Sequence, residues 1–362
     1  MKKLITIVAI LGIILSLCLS GCITDQNNEV NNVPTTTNNV GNINNNVASE
    51  NKEEKVINIY AAYGGLDYIA KEFEKDTGIK VNYVSMSSGE ALSRLSAEKN
   101  NPSCDVWFGG GIDSFIAAKN QGLLAPYNSP NAKYINSKFV DKEGYWTGVS
   151  LVTIGISENT QLVKEENLPE PKTWDDLIKP EYKGEIIASN PSISGTAYFT
   201  ICGILQMKGE EEGWKYLDKF YENTPFLTKR GSGPTNLVKS GEYPFGVSPD
   251  PHGLVIKNPD LPVKAVYLDK VVWWPAPVAI IKNAKHPNNA KIFVDWALSK
   301  KGQMVLMNAS PRVPVRGDIQ TVKGVPSPKD LDFIDMDFVY WGQHREEVLN
   351  KWKSRYQSIT TK

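Results

Sequence analysis

An α/β fold is what this sequence predicts, and three observations predict it. Short runs of β-branched and aromatic residues alternate with stretches whose apolar residues recur at i, i+3, i+4 and i+7, the pattern of a helix with one buried face. The alternation occurs in two stretches, one ending near Gly148 and one beginning after it, and 362 residues suffice for two domains at roughly 100–200 residues each. An apolar fraction of 41% with 10% aromatics supplies a core and excludes a wholly disordered chain.

The elements justify themselves in order. Lys2 and Lys3 precede a 16-residue apolar run from Leu4 to Leu19, shorter than the ~20 residues that span a bilayer as a helix. It ends in Leu19-Ser20-Gly21-Cys22. This reads as a secretory leader, and its ending resembles a prokaryotic lipobox, which implies lipidation of Cys22 and cleavage before it; a plain signal peptide or a short anchor is the alternative. Between Asn27 and Asn51 lie eleven Asn, three Thr and no Lys, Arg or aromatic. Such a stretch cannot bury enough apolar area to offset its chain entropy, so it is expected to be a leash.

The run 56–61 reads as a buried strand, and Leu66, Ile69, Ala70 and Phe73 form a helical stripe closed by Gly78 as C-cap. A strand follows at 80–84, a helix at 90–98, a strand at 106–108 and a helix at 112–119. In the second stretch, strands are expected at 149–156, 184–188, 243–247, 263–268 and 278–281. Helices are expected from 174, at 196–206 and 210–221, along the stripe of Ala290, Phe293, Val294, Ala297 and Leu298, and at 343–359. The spacing favours a parallel sheet with covering helices.

Charge and motifs remove several functions. Forty basic residues balance forty acidic ones, against a nucleic-acid partner, which needs a basic surface. The three His (His252, His286 and His344) are widely spaced, and neither HExxH, CxxC, GxSxG, Walker A nor GxGxxG occurs, so the expectation is no enzyme, no metal site and no cofactor. Cys104 and Cys202 are expected as two buried thiols, because a bridge between the two α/β units would pin them together.

Several segments in order carry a family resemblance: Ser87-Ser88-Gly89, Asn101-Pro102-Ser103-Cys104-Asp105-Val106-Trp107, Tyr145-Trp146-Thr147-Gly148, Pro171-Lys172-Thr173-Trp174-Asp175-Asp176-Leu177, Asn190-Pro191-Ser192-Ile193-Ser194-Gly195-Thr196 and Gly241-Glu242-Tyr243-Pro244. Together they resemble the extracytoplasmic solute-binding proteins of ABC importers, in the group that binds ferric iron, 2-aminoethylphosphonate, phosphosugars and thiamine. The resemblance implies a two-lobe periplasmic-binding-protein-like type II fold, with a hinge and an interlobe ligand cleft. It would divide the chain into a lipoprotein signal peptide (1–21), a lipidated Cys and linker (22–54), lobe one (55–148 and 272–310), lobe two with hinge segments (149–271) and a C-terminal helical segment (311–362). The implied partners are a small-molecule ligand, permease and ATPase subunits, and the cell membrane through a lipid anchor, with the protein itself a monomer outside the cytoplasm.

Ser194-Gly195-Thr196 opens an apolar helical run, where free amides and the positive helix end suit an oxyanion, although Ser and Thr are also ordinary N-caps. The triplet matches the anion-binding segment of the ferric and phosphonate binders. Ser87-Ser88-Gly89 has the same form, Gly110 lies in a Gly109-Gly110-Gly111 turn, and Ser232 and Gly233 follow Lys229-Arg230; each is a donor set or a tight turn. Tyr63 and one of Trp273 and Trp274 are candidates for packing on a ligand. Asp250 and His252 are candidates for polar contact, or solvated residues of a Pro-rich turn. Where the ferric binders present adjacent tyrosines, this chain reads Gly246-Val247-Ser248-Pro249-Asp250-Pro251-His252-Gly253, which speaks against direct Fe(III) binding. The function expected is capture of a small anionic or zwitterionic solute; a lipid-anchored hydrolase and an envelope interaction protein are the alternatives.

Overall fold

Alternation of Ile57 and Ile59 on one face of β1 (Val56–Ala61) starts the sheet. The computed structural model describes residues 55–362; the leader, Cys22 and the Asn-rich stretch lie outside the described residues. Helix α1 (Leu66–Thr77) buries Ile69 and Phe73 and stops at Gly78, whose φ of 69° suits a residue without Cβ. There follow β2 (Lys80–Ser85), α2 (Ser88–Ala97), β3 (Val106–Phe108), α3 (Ile112–Asn120) and β4 (Leu124–Ala125). Next comes β5 (Thr147–Asn159), 13 residues long and buried throughout.

The second half contains α4 (Thr160–Glu165), β6 (Ile186–Ser189), α5 (Gly195–Lys208), α6 (Glu210–Asn223), β7 (Leu227–Thr228), α7 (Gly233–Lys239), β8 (Phe245–Pro249), α8 (Pro251–Lys257) and β9 (Val263–Val266). The chain then returns through β10 (Trp273–Ile281), α9 (Pro287–Leu298), α10 (Lys300–Ala309), β11 (Val313–Pro314), α11 (Phe338–Gln343) and α12 (Arg345–Tyr356).

The strand order is β2-β1-β3-β10-β5-β8-β6-β7. The outer pairs, β1 with β2 and β3, and β6 with β7 and β8, are parallel. The expected all-parallel sheet is corrected at its centre: β10 runs antiparallel to β3 and β5, and β5 antiparallel to β8 and β9. The first half of β5 pairs with β10 and the second half with β8 and β9. β10 stays beside β5 from Trp273 to Val278, across a bulge at Ala276/Pro277, and pairs with β3 on its other edge at Val278–Ile280. A strand that crosses between two half-sheets answers to distant partners, which local periodicity cannot encode. The Pro residues at 275 and 277 also hide the start of β10, five residues earlier than the expected 278.

The segment 311–362 is only partly helical, because β11 pairs with β5 and a long irregular stretch, with one 3-10 turn at Pro328–Asp330, precedes α11. Its helices tie to both halves. The Tyr198 hydroxyl of α5 donates to the Trp341 carbonyl at 2.5 Å, and Arg345 pairs with the fully buried Asp113 of α3 at 2.7 Å. Cys104 and Cys202 are free and buried.

Candidate functional site

Where β5 and β10 cross, a cavity of about 250 Å³ opens between the two half-sheets. Its walls follow from the topology. In a parallel α/β unit the strand-to-helix turns gather at one sheet edge, and their helices point their N-termini at it. Here the N-cap residues of three helices, Ser87 of α2, Gly111 of α3 and Ser194 of α5, all line the cavity. The first-turn amides of Gly195 and Thr196 have no acceptor within the helix, and three helix N-termini add their positive ends.

The cradle is close-knit. The Ser88 hydroxyl accepts from the Gly111 amide at 2.8 Å, leaving its own proton to give. The Ser194 hydroxyl accepts from the Ala197 amide at 3.3 Å and likewise keeps its proton. The Ser87 amide and hydroxyl are both spent on Glu90, at 2.8 and 2.7 Å. Burial works to raise the pKa of that carboxyl, but the bonds from Ser87 and the nearby Arg230 and Lys229 outweigh it, and Glu90 is held below its ordinary value. Gly195 has little room for a side chain, since a Cβ there would lie 3.0 Å from the Gly111 amide nitrogen and Cα.

Two cations and a phenol complete the polar lining: Arg230, Arg312 and Tyr63. Among the described residues, no Asp or Glu lines the cavity. Arg230 is half exposed; its Nη2 donates to the Ser85 carbonyl across the cleft at 3.1 Å, and its Nε lies 3.9 Å from Glu90. Tyr63 is buried and donates to the Ser150 hydroxyl at 3.3 Å. Burial pushes its pKa up, against the pull of Arg312, so the phenol stays protonated near neutrality. Trp274 closes the floor beside Val152, its register partner across the β5–β10 ladder. Its ring stacks on Phe199 at 4.9 Å and its indole N–H donates to the Gly110 carbonyl at 2.9 Å.

The candidate residues therefore separate. Tyr63, Ser87, Ser88, Gly110, Ser194, Gly195, Thr196, Ser232 and Trp274 line the cavity. Five candidates do not. The Gly89 amide is consumed by the Ile193 carbonyl at 3.0 Å, and the Gly233 amide by the Arg230 carbonyl at 2.9 Å. Trp273 turns to the opposite side of β10, against Phe139, Phe333 and Phe338. His252 lies behind the wall, between the Tyr267 hydroxyl at 2.5 Å and the Pro311 carbonyl at 3.0 Å, and burial lowers its pKa. Asp250 is also behind the wall, accepting from the Thr153 amide at 2.9 Å and pairing with Arg312 at 2.8 Å. Instead of a solvated Pro-rich turn, both are buried braces. Arg312 escaped sequence reading altogether. It sits just before a two-residue strand, far along the chain from every other lining residue, and no motif surrounds it.

The sequence pattern of the bacterial extracellular solute-binding proteins matches residues 68–331. An uncharacterized protein of Haemophilus influenzae is 31% identical over 293 residues, covering 78% of this chain and 84% of that one. A putative 2-aminoethylphosphonate-binding periplasmic protein of Salmonella typhimurium is 25% identical, over 68% of this chain and 73% of its own length. Among solved structures, the periplasmic binding protein AfuA of Actinobacillus pleuropneumoniae, with fructose-6-phosphate bound, superposes with a TM-score of 0.81 at 30% identity, covering 84% of this chain and all of that one. The chain belongs to the bacterial extracellular solute-binding proteins, and its fold is their two-lobe α/β architecture.

Proposed function

We propose that this protein captures a small phosphate- or phosphonate-bearing anion in the interlobe cleft and delivers it to the permease and ATPase of an ABC importer, tethered to the cell membrane by a lipid on Cys22. The observation that carries the reading is the convergence of three helix N-termini from both sides of one small cavity whose charged side chains are both guanidinium. Main-chain amides, hydroxyls and helix dipoles complement a tetrahedral oxyanion without needing a counter-charge at each oxygen. A likeness to a protein that holds fructose-6-phosphate supports the same chemistry. Direct Fe(III) binding is disfavoured, because among the described residues the lining offers one phenol, kept protonated and bonded to Ser150, and no carboxylate. Closure of the lobes would be driven by contacts made only when both sides meet the ligand.

Thermal-shift and calorimetric titration against phosphate esters, phosphonates, carboxylates and Fe(III) tests the reading. A ligand at 100 times its dissociation constant stabilises the protein by about 2.7 kcal/mol. The expected result is stabilisation by at least one organophosphate; stabilisation by Fe(III) alone, or turnover of an ester, would overturn it. For the anchor, Cys22→Ser is expected to lose incorporation of labelled palmitate and to leave the membrane fraction.

A further inference from the structure

Arg312 enters the cavity from the segment joining α10 to β11. Its Nε meets the Asp250 carboxylate at 2.8 Å, and its guanidinium carbon stands 4.4 Å from the centroid of the Tyr63 ring. Asp250 is itself fixed, by the Thr153 amide and hydroxyl at 2.9 and 3.2 Å and by a left-handed backbone with φ of 47°, uncommon outside glycine. The guanidinium is thus held from behind by an acid and from one face by a ring, and its orientation is set before any ligand arrives. Among the described residues, neither its buried Nε nor its buried Nη1 has a hydrogen-bond partner, the Asp250 contact being an ion pair without hydrogen-bond geometry. A buried cationic N–H without an acceptor is costly to leave so. The expense makes sense if a ligand supplies the acceptor.

Arg312 is distinct from the amide cradle. Ser88, Gly111 and Gly195 touch one another, whereas Arg312 bonds to none of them. Both nonetheless line one cavity of about 250 Å³, a space suited to a short carbon skeleton. Resting on the reading of that cradle as the seat of a phosphoryl or phosphonyl group, we infer that Arg312 is a second anchor and that the ligand is a phosphorylated carboxylic acid, its carboxylate received by the free edge of the guanidinium. A planar guanidinium fork matches a carboxylate better than a hydroxyl does, and charge-assisted bonds of this kind are the stronger ones. An ammonium group in that place would face a cation, in a cavity that no acid among the described residues lines.

Isothermal titration of the full chain in detergent with 3-phosphoglycerate, glycerol 3-phosphate, 2-aminoethylphosphonate and inorganic phosphate tests this. The first two differ only by carboxylate against hydroxymethyl. At least tenfold tighter binding of 3-phosphoglycerate than of glycerol 3-phosphate is expected. Arg312→Gln should erase that preference, 3-phosphoglycerate losing at least tenfold more affinity than glycerol 3-phosphate. Equal binding of the two esters by the parent, or tighter binding of 2-aminoethylphosphonate, would overturn the carboxylate assignment and leave the oxyanion reading standing. Failure of all four to bind would overturn both. The parent's own discrimination needs no variant, so a poorly folded Arg312→Gln protein does not blunt the test.

Discussion

The two arginines of the cleft are the same residue in opposite circumstances. Arg230 stands at the rim, half exposed, reaching across to the Ser85 carbonyl and standing 3.9 Å from Glu90. Arg312 lies within, its side chain 11% exposed, with a buried acid behind it and an aromatic ring against its face. Water competes for every contact Arg230 makes, and salt screens its field; Arg312 has neither escape. Rim cations chiefly speed encounter, whereas buried, pre-oriented ones decide what stays bound. Glu90 and Asp250 repeat the contrast behind them. Glu90 belongs to a helix cap and sees Arg230 as one influence among several, whereas Asp250 is a brace whose conformation exists to hold its partner.

Four experiments break or sharpen that comparison. Arg312→Gln should have the largest effect, about 2 kcal/mol or more against a carboxylated phosphate ester, roughly thirtyfold in affinity, since it removes one partner of a desolvated pair; calorimetry showing a loss equal for every phosphate ester would make Arg312 a general anion anchor like the cradle. Gly195→Val comes next. Its Cβ would crowd the Gly111 backbone at 3.0 Å, costing about 1–3 kcal/mol of overpacking. Affinity for all phosphate esters should fall together by about tenfold, and unchanged binding would remove the cradle from the site. Arg230→Gln should change equilibrium affinity only about threefold but slow association and flatten its salt dependence; stopped-flow rates that ignore salt would assign Arg230 to lobe contact alone.

The smallest effect concerns the wall behind Arg312. Burial lowers the pKa of His252, so the folded protein keeps it neutral while the unfolded chain takes up a proton below about pH 6.5. The unfolded state then binds more protons, and stability falls as pH drops through that value. Melting curves between pH 7 and pH 5 should show a shallower decline for His252→Gln than for the parent; parallel curves would take His252 out of the pH response.

The helix starts were legible because they are local events. Ser87, Ser194 and the Gly109–Gly111 turn announce themselves by residue type beside an apolar run, and all three meet at the cavity. The same locality misled at Gly89 and Gly233, whose amides have acceptors from elsewhere in the chain or the turn before them. Of Trp273 and Trp274, sequence could say only that one is a candidate to pack on a ligand; the early start of β10 gave the two opposite faces, and the pairing of Trp274 with Val152 chose which one sees the cleft.

By itself, then, the order of residues determined the alternation of strands and helices and the caps that collect amides, because each depends on neighbours a few positions away. Only the tertiary structure decided that β5 and β10 cross antiparallel between the half-sheets, that Asp250 and His252 stand behind the cavity wall, and that Arg312 is carried back to meet Tyr63. Those outcomes rest on pairing energy between segments far apart in the chain, which no local pattern records.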